Sequence, residues 1–188
     1  LGNVANKGYE VYLTANVLRT KDFNINVTGN LVHNVNTLVS LSNSLNTLNS
    51  KIDEYQTNPD NKAQSTPLVR FNEGESMTMI YAVPSLGIDP QTGKEIFRKR
   101  DGSLTYNWNV ADIMPIADGA PKAEGNLNPN IGYKNFLFSF SFYYRFGGYT
   151  YNQTLVDRVE NADPRFNVDS RVLNQRWIKP GDQTFFKY

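Results

Sequence analysis

The chain has 188 residues, with 19 Lys and Arg against 18 Asp and Glu, so its net charge is +1 and it lacks the basic stripe that a nucleic-acid partner requires. It has no cysteine, which excludes a disulfide scaffold and any thiolate metal site. No window approaches the 18 or more apolar residues of a spanning helix. Yet 13% of the residues are aromatic in a chain whose mean hydropathy is −0.51. Outer-membrane barrels have this balance because half of each strand faces water, and secreted carbohydrate-binding sandwiches share it.

The chain opens on Leu1 with no Met, basic n-region or signal peptide, and reads as a mature or cut product. Residues 8–18 alternate, with Tyr9, Val11, Leu13, Ala15 and Val17 on one face and Glu10, Tyr12, Thr14 and Asn16 on the other. After the short polar stretch 19–22, residues 23–36 alternate again: Phe23, Ile25, Val27, Gly29, Leu31 and Val35 against Asn24, Asn26, Thr28, Asn30 and Asn34. A period of two marks strands, and two such runs around a tight turn predict an antiparallel hairpin.

From 36 to 66 the chain is rich in Ser and Asn. Leu38, Leu41, Leu45, Leu48 and Ile52 recur every three or four residues, which fits a short amphipathic helix or a loop pinned by a few hydrophobes. Residues 68–71 and 77–83 are short strand candidates, and Asp89-Pro90-Gln91-Thr92-Gly93 and Asp101-Gly102 are turns. The second turn joins 95–98 to 103–106 as a small hairpin. Residues 122–131 alternate once more, although Pro129 cannot donate to a ladder.

Residues 135–147 are the most distinctive stretch. Phe136, Phe138, Phe140, Phe142, Tyr144 and Phe146 occupy every even position, with Asn135, Ser139, Ser141 and Arg145 among the odd ones. On a helix the same rings would scatter around the axis, so the run predicts a strand with one aromatic face. From Phe136 to Phe146 it measures about 36 Å, and a tilt of about 40° projects it to about 28 Å. The hydrocarbon core of a bilayer is about 30 Å thick. Lipid covers such a face with no partner layer; a second packed sheet would also cover it.

Tight turns at 19–22 and 132–134, a long intervening segment and a long tail match the short periplasmic turns and long extracellular loops of outer-membrane barrels. The predicted membrane strands are therefore about 8–18, 23–36, 122–131 and 135–147, with extracellular loops about 37–121 and 148–188. Parity keeps 67–83 in the loop, since one more crossing would put the two tight turns on opposite sides. Four strands cannot close a barrel, and an open edge in lipid leaves backbone groups unpaired. The expectation is an all-β segment of a larger antiparallel transmembrane barrel.

Five stretches carry a family resemblance: Asn6-Lys7-Gly8-Tyr9-Glu10, residues 87–94 (Gly87-Ile88-Asp89-Pro90-Gln91-Thr92-Gly93-Lys94), Tyr133-Lys134-Asn135-Phe136, residues 147–152 (Gly147-Gly148-Tyr149-Thr150-Tyr151-Asn152) and residues 176–182 (Arg176-Trp177-Ile178-Lys179-Pro180-Gly181-Asp182). In this order they resemble the late barrel region of SusC/RagA-type TonB-dependent transporters of the Bacteroidetes outer membrane. The resemblance implies a barrel of about 22 strands with a plugged lumen. It also implies a SusD-like surface lipoprotein as partner, and TonB-driven import of oligosaccharides or, in some members, peptides. The sequence shows no plug, TonB box or early barrel, so residues 1–188 read as a partial barrel, and TonB would act through the missing N-terminal part. The alternative is a soluble secreted β-sandwich that binds carbohydrate.

No residue set predicts catalysis or a cofactor. Asp89, Asp101 and Asp112 sit in turns or chain breaks that account for them locally. The single His33 has no partner at metal-ligand spacing and reads as a packed or interfacial side chain. Tyr106, Trp108 and Trp177, near Arg98 and Arg176, are candidate contacts for ligand or partner, because sugar rings stack on such platforms. Packing of the loops against one another or against the lipoprotein explains the same residues. Phe136, Phe138, Phe140, Phe142, Tyr144 and Phe146 are the expected lipid-facing set.

Overall fold

The computed structural model describes residues 2–58, 67–163 and 165–186. In chain order its main elements are β1 (Asn3–Arg19), β2 (Phe23–Ser40), α1 (Asn43–Thr57), β3 (Met79–Ala82), β4 (Ser85–Ile88), β5 (Glu95–Arg98), β6 (Leu104–Thr105), β7 (Met114–Asp118), β8 (Ala123–Tyr133), β9 (Phe136–Ser139) and β10 (Phe142–Phe146). Two compact units result. The first comprises Leu1–Thr47, Phe71–Met79 and Ala117–Tyr149, and the second Leu48–Arg70, Ile80–Ile116 and Thr150–Tyr188.

The first unit is one antiparallel sheet in the order β1-β2-β8, with β9 and β10 end to end along the far edge of β8. The strands run further than the alternation predicts: β1 begins at Asn3 and β2 continues to Ser40. The reason lies in pairing, because Asn6 and Asn36 face each other and their side chains are bonded at 2.8 Å. Residues 73–77 then support the far end of β2. The Leu38 N–H donates to the Glu75 carbonyl and the Gly74 N–H to that of Leu38, leaving Leu38 buried.

Two details differ from the simple period. A bulge between Asn16 and Leu18 puts Leu18, and not Val17, opposite Ile25; one extra residue shifts every later side chain to the other face. The aromatic run is also interrupted at Phe140 and Ser141. Pro129 stands opposite that gap. It accepts from the Phe140 N–H at 3.3 Å but has no N–H to return, so the ladder between β8 and the aromatic strand lapses for two residues. Pairing of β8 with β2 continues through Pro129, which faces Val27 there.

The hairpin turns are tighter than predicted. Lys134 and Asn135 alone connect β8 to β9, and Thr20 closes the first turn through reciprocal bonds with Phe23.

The second unit is a set of short elements. β4, β5 and β6 form a three-stranded antiparallel sheet, which extends the predicted 95–98/103–106 hairpin by one strand. The helical periodicity is realised as α1, but Leu38 falls in β2 and Leu41 before the helix. Residues 68–71 form no strand, and the 77–83 candidate contracts to β3, which pairs with β7. Tyr81, Val83, Ile88, Ile113 and Val159 are the buried apolar residues here.

Candidate functional site

The register of this five-stranded sheet sorts its side chains into transverse rows. On one face the rows read Leu18-Ile25-Ile131-Phe138, then Ala15-Val27-Pro129 leading to Phe140, then Leu13-Gly29-Leu127-Phe142, and Val11-Leu31-Gly125-Tyr144. On the other face they read Asn16-Asn26-Asn130-Ser139, then Thr14-Thr28-Asn128 leading to Ser141, then Tyr12-Asn30-Asn126-Tyr143. One face is thus hydrocarbon and aromatic across its whole width, and the other is amide and hydroxyl.

The aromatic rings pack along their strand. Phe138 and Phe140 have centroids 5.1 Å apart, Phe140 and Phe142 meet edge to face at 5.0 Å, and Tyr144 and Phe146 stack at 6.4 Å. Such pairs add about 0.5–1.5 kcal/mol each beyond their buried area. Nothing among the described residues covers this face. Phe136 is 78% exposed, Phe138 62% and Leu13 67%. A sandwich requires a second sheet over these rings, and the described residues supply none.

Tyr144 resolves what a phenol does on an apolar face. It lies across Gly125 of β8, and its hydroxyl donates to the Asn30 carbonyl on β2 at 2.6 Å. A Cβ on Gly125 would sit 2.6 Å from the Tyr144 oxygen and would also collide with the Asn30 carbonyl oxygen, so only glycine leaves the crossing open. An isolated glycine inside an alternating strand is the sequence signal for such close approach, and it was legible at Gly125 only once its partner strand was known.

The polar face is stitched by side-chain bonds. Asn26 donates to Asn16 at 2.9 Å, Ser139 to Asn130 at 2.8 Å and Ser141 to Asn128 at 2.5 Å. Tyr143 donates to Glu124 at 2.6 Å and Tyr12 to Glu10 at 2.5 Å. At the end of β10 the Arg145 guanidinium donates to the Gly119 carbonyl. His33 donates from Nδ1 to the Lys122 carbonyl oxygen at 2.5 Å, which requires the proton on that nitrogen, and its ring lies 5.1 Å from that of Tyr9. That is a packed histidine.

In the second unit the residues named from sequence separate. Trp177 covers the 89–93 turn: its indole N–H donates to the Pro90 carbonyl at 2.9 Å, and a Cβ on Gly93, whose φ is +70°, would lie 2.5 Å from its ring. The Gly181 N–H also donates to Pro90, so stretches 87–94 and 176–182 meet. Tyr106 donates to Asp89 at 2.6 Å, with Lys94 Nζ 5.8 Å from its ring centre. That bond, the Gln91 N–H and the Thr92 hydroxyl hold the Asp89 carboxyl below the usual carboxylate range. Arg176 donates to the Glu160 carbonyl at 2.7 Å. Arg98 is exposed and Trp108 half-buried, and neither joins the Trp177 cluster. No group of three or more His, Cys, Asp or Glu side chains suited to a metal occurs among the described residues.

No family model matches the sequence, and no curated protein matches it. Solved structures do. A chain of the RagAB peptide transporter superposes with a TM-score of 0.75 over 99% of this chain and 20% of its own length, at 19% identity. The RagAB peptide importer in its open-open state gives 0.73 at 18% identity over 100% and 19% of the two chains. Its closed-closed state gives 0.72 at 19% identity over 98% and 21%. The fold is that of a transporter-barrel segment. At this identity the likeness is one of fold, and the present chain spans about a fifth of the length of the chains it matches.

Proposed function

We propose that the chain forms part of the wall and outer loops of a TonB-dependent importer of the SusC/RagA type in the bacterial outer membrane, and that it acts by binding and gated passage without covalent chemistry. The observation that carries this reading is a five-stranded sheet with an uncovered aromatic face, a hydrogen-bonded polar face and unpaired outer edges among the described residues. In water such a sheet would aggregate; in a barrel, neighbouring strands pair its edges, lipid covers one face and the hydrated interior solvates the other. Phe136, Phe138, Phe140, Phe142, Tyr144 and Phe146 then face lipid, with Phe136 near the periplasm and Phe146 near the outer surface. The fold likeness to a transporter supports the same reading.

A SusD-like surface lipoprotein is the expected partner above the outer loops, and TonB would engage a part of the importer outside these residues. Of the two cargo classes the family resemblance allows, peptides are favoured over oligosaccharides by the peptide transporter whose fold the chain shares. Arg98 and Trp108 are the better candidates for cargo or lipoprotein contact, since Trp177 and Tyr106 already serve the 89–93 turn. Fractionation tests the location: the intact source protein should sediment with outer membranes and require detergent for extraction. Partition into the aqueous phase without detergent would refute the proposal. Equilibrium binding of peptides against oligosaccharides to the purified protein tests the cargo, and saturable binding of oligosaccharide alone would reverse the choice.

A further inference from the structure

The polar face of the sheet changes character along the strands. Its three amide and hydroxyl rows, from Asn16-Asn26-Asn130-Ser139 to Tyr12-Asn30-Asn126-Tyr143, hold no formal charge and no aliphatic side chain larger than threonine. The next row on the same face, beside the tight turns, reads Arg19-Asn24-Gly132-Leu137. Leu137 is 77% exposed there, and a Cβ on Gly132 would meet nothing nearer than 3.8 Å. The two turns beneath this row are tied together, the Lys134 N–H donating to the Asp22 carbonyl at 2.8 Å. They border a groove of about 290 Å³ whose walls include Lys21, Asp22, Phe23, Asn24, Lys134 and Leu137.

The two zones suit different surroundings. In the three amide rows the side chains bond along the wall, Asn26 to Asn16, Ser139 to Asn130 and Ser141 to Asn128, and water satisfies what remains. The row beside the turns offers a leucine, an arginine and a recess. Where proteins meet, arginine is enriched and serine depleted. The recess stands at the small end of ligand pockets, about 300–1,000 Å³, with room for part of a polypeptide and not for a whole cargo peptide.

Charge narrows the occupant further. The Lys134 ammonium is taken up by the Tyr133 ring, 5.4 Å from its centre. Arg19 and Lys21 remain, against Asp22 alone, and among the described residues neither cation has a carboxylate within ion-pair distance. A carboxylate beside an apolar side chain complements this row. Cargo gripped so at the periplasmic end would be slow to leave, so the seat suits a resident segment.

Resting on the membrane placement proposed above, we infer that a segment of the importer's own polypeptide, inside the barrel and outside these residues, seats a carboxylate and an apolar side chain on the Arg19-Leu137 row, leaving the amide rows as the wet wall of the cargo passage.

Single cysteines in the intact source protein, otherwise stripped of reactive thiols and labelled with a membrane-impermeant maleimide in purified outer membranes, test this. Asn24 and Thr14 are both exposed among the described residues. Thr14→Cys should label freely, while Asn24→Cys labels about tenfold more slowly behind the seated segment. Leu13→Cys, on the lipid face, should not label. Adding Leu137→Asn to Asn24→Cys should restore most of the rate, and adding Arg19→Gln should raise it about threefold, the size of an exposed ion pair. Neither change should alter labelling at Thr14→Cys, which guards against a folding artefact. Equal rates at positions 24 and 14, with position 13 silent, overturn the seat and leave the membrane placement standing. Protection at both 24 and 14 overturns the wet passage. Labelling at 13 as fast as at 14 overturns the membrane placement itself. Protection at 24 that appears only with added peptide would show a cargo site and overturn the resident segment.

Discussion

Replacing Phe140 by arginine puts the face assignment at risk. Phe140 lies one residue from the midpoint of the run from Phe136 to Phe146; on the membrane placement proposed above, a rise of about 3.3 Å and a tilt of about 40° put it about 3 Å from the bilayer midplane. An arginine at that depth in a barrel costs about 2–4 kcal/mol, or about 30- to 900-fold in the folding equilibrium. Phe140→Ala is the control, since it removes the ring contacts with Phe138 and Phe142, at about 0.5–1.5 kcal/mol each, without adding charge. Ser141→Arg, next along the chain on the opposite face, forfeits the hydroxyl bond to Asn128, a net loss of about 0.5–1.5 kcal/mol, and adds no lipid term. Equilibrium urea unfolding of the intact source protein in lipid, followed by tryptophan fluorescence, measures all three. Phe140→Arg should exceed Phe140→Ala by about 2–4 kcal/mol and should exceed Ser141→Arg. Equal costs at positions 140 and 141, or a larger one at 141, would refute the register.

Gly125→Val should displace Tyr144 and free the Asn30 carbonyl, costing about 1–3 kcal/mol through overpacking, whereas Tyr144→Phe should cost less; the same unfolding assay ranks them. Trp177→Ala should raise amide exchange in residues 89–94 and 177–182 and leave the sheet's exchange unchanged, because the indole packs on Gly93 and bonds Pro90. Asp89 has a folded-state pKa below that of an unfolded aspartate, about 3.9, so its bonds stabilise the turn fully above that value. The contribution is lost as pH falls through the lower folded value. Tyr106→Phe removes the largest cause of the depression and should move loosening of the 89–94 turn to higher pH, read by hydrogen exchange corrected for intrinsic rates.

Legibility in the sequence varied with the range of the interaction involved. Alternation at residues 8–18, 23–36 and 135–147 is a local property of a two-residue repeat, and it identifies two-faced strands without knowledge of their neighbours. The interruption at Phe140 was invisible locally, because its cause is the missing N–H of Pro129, 11 residues upstream. The bulge that turns Leu18 to the apolar face arises from pairing with Ile25, and a strand read alone carries no register. Trp177 read either as a ligand platform or as packing between loops, because nothing in its neighbourhood announces Gly93 as the floor it packs on.

What the sequence by itself determined is the class of solution: strands with one aromatic and one amide-rich face, short turns at one end and long connections at the other. Those follow from side-chain period and turn chemistry, which act within a few residues. Tertiary structure alone decided which residues share a row, that Gly125 is the gap through which Tyr144 reaches Asn30, and that Lys21 and Lys134 border one groove. Each of these depends on hydrogen-bond register between strands far apart in the chain, and a shift of a single residue would have exchanged the two faces.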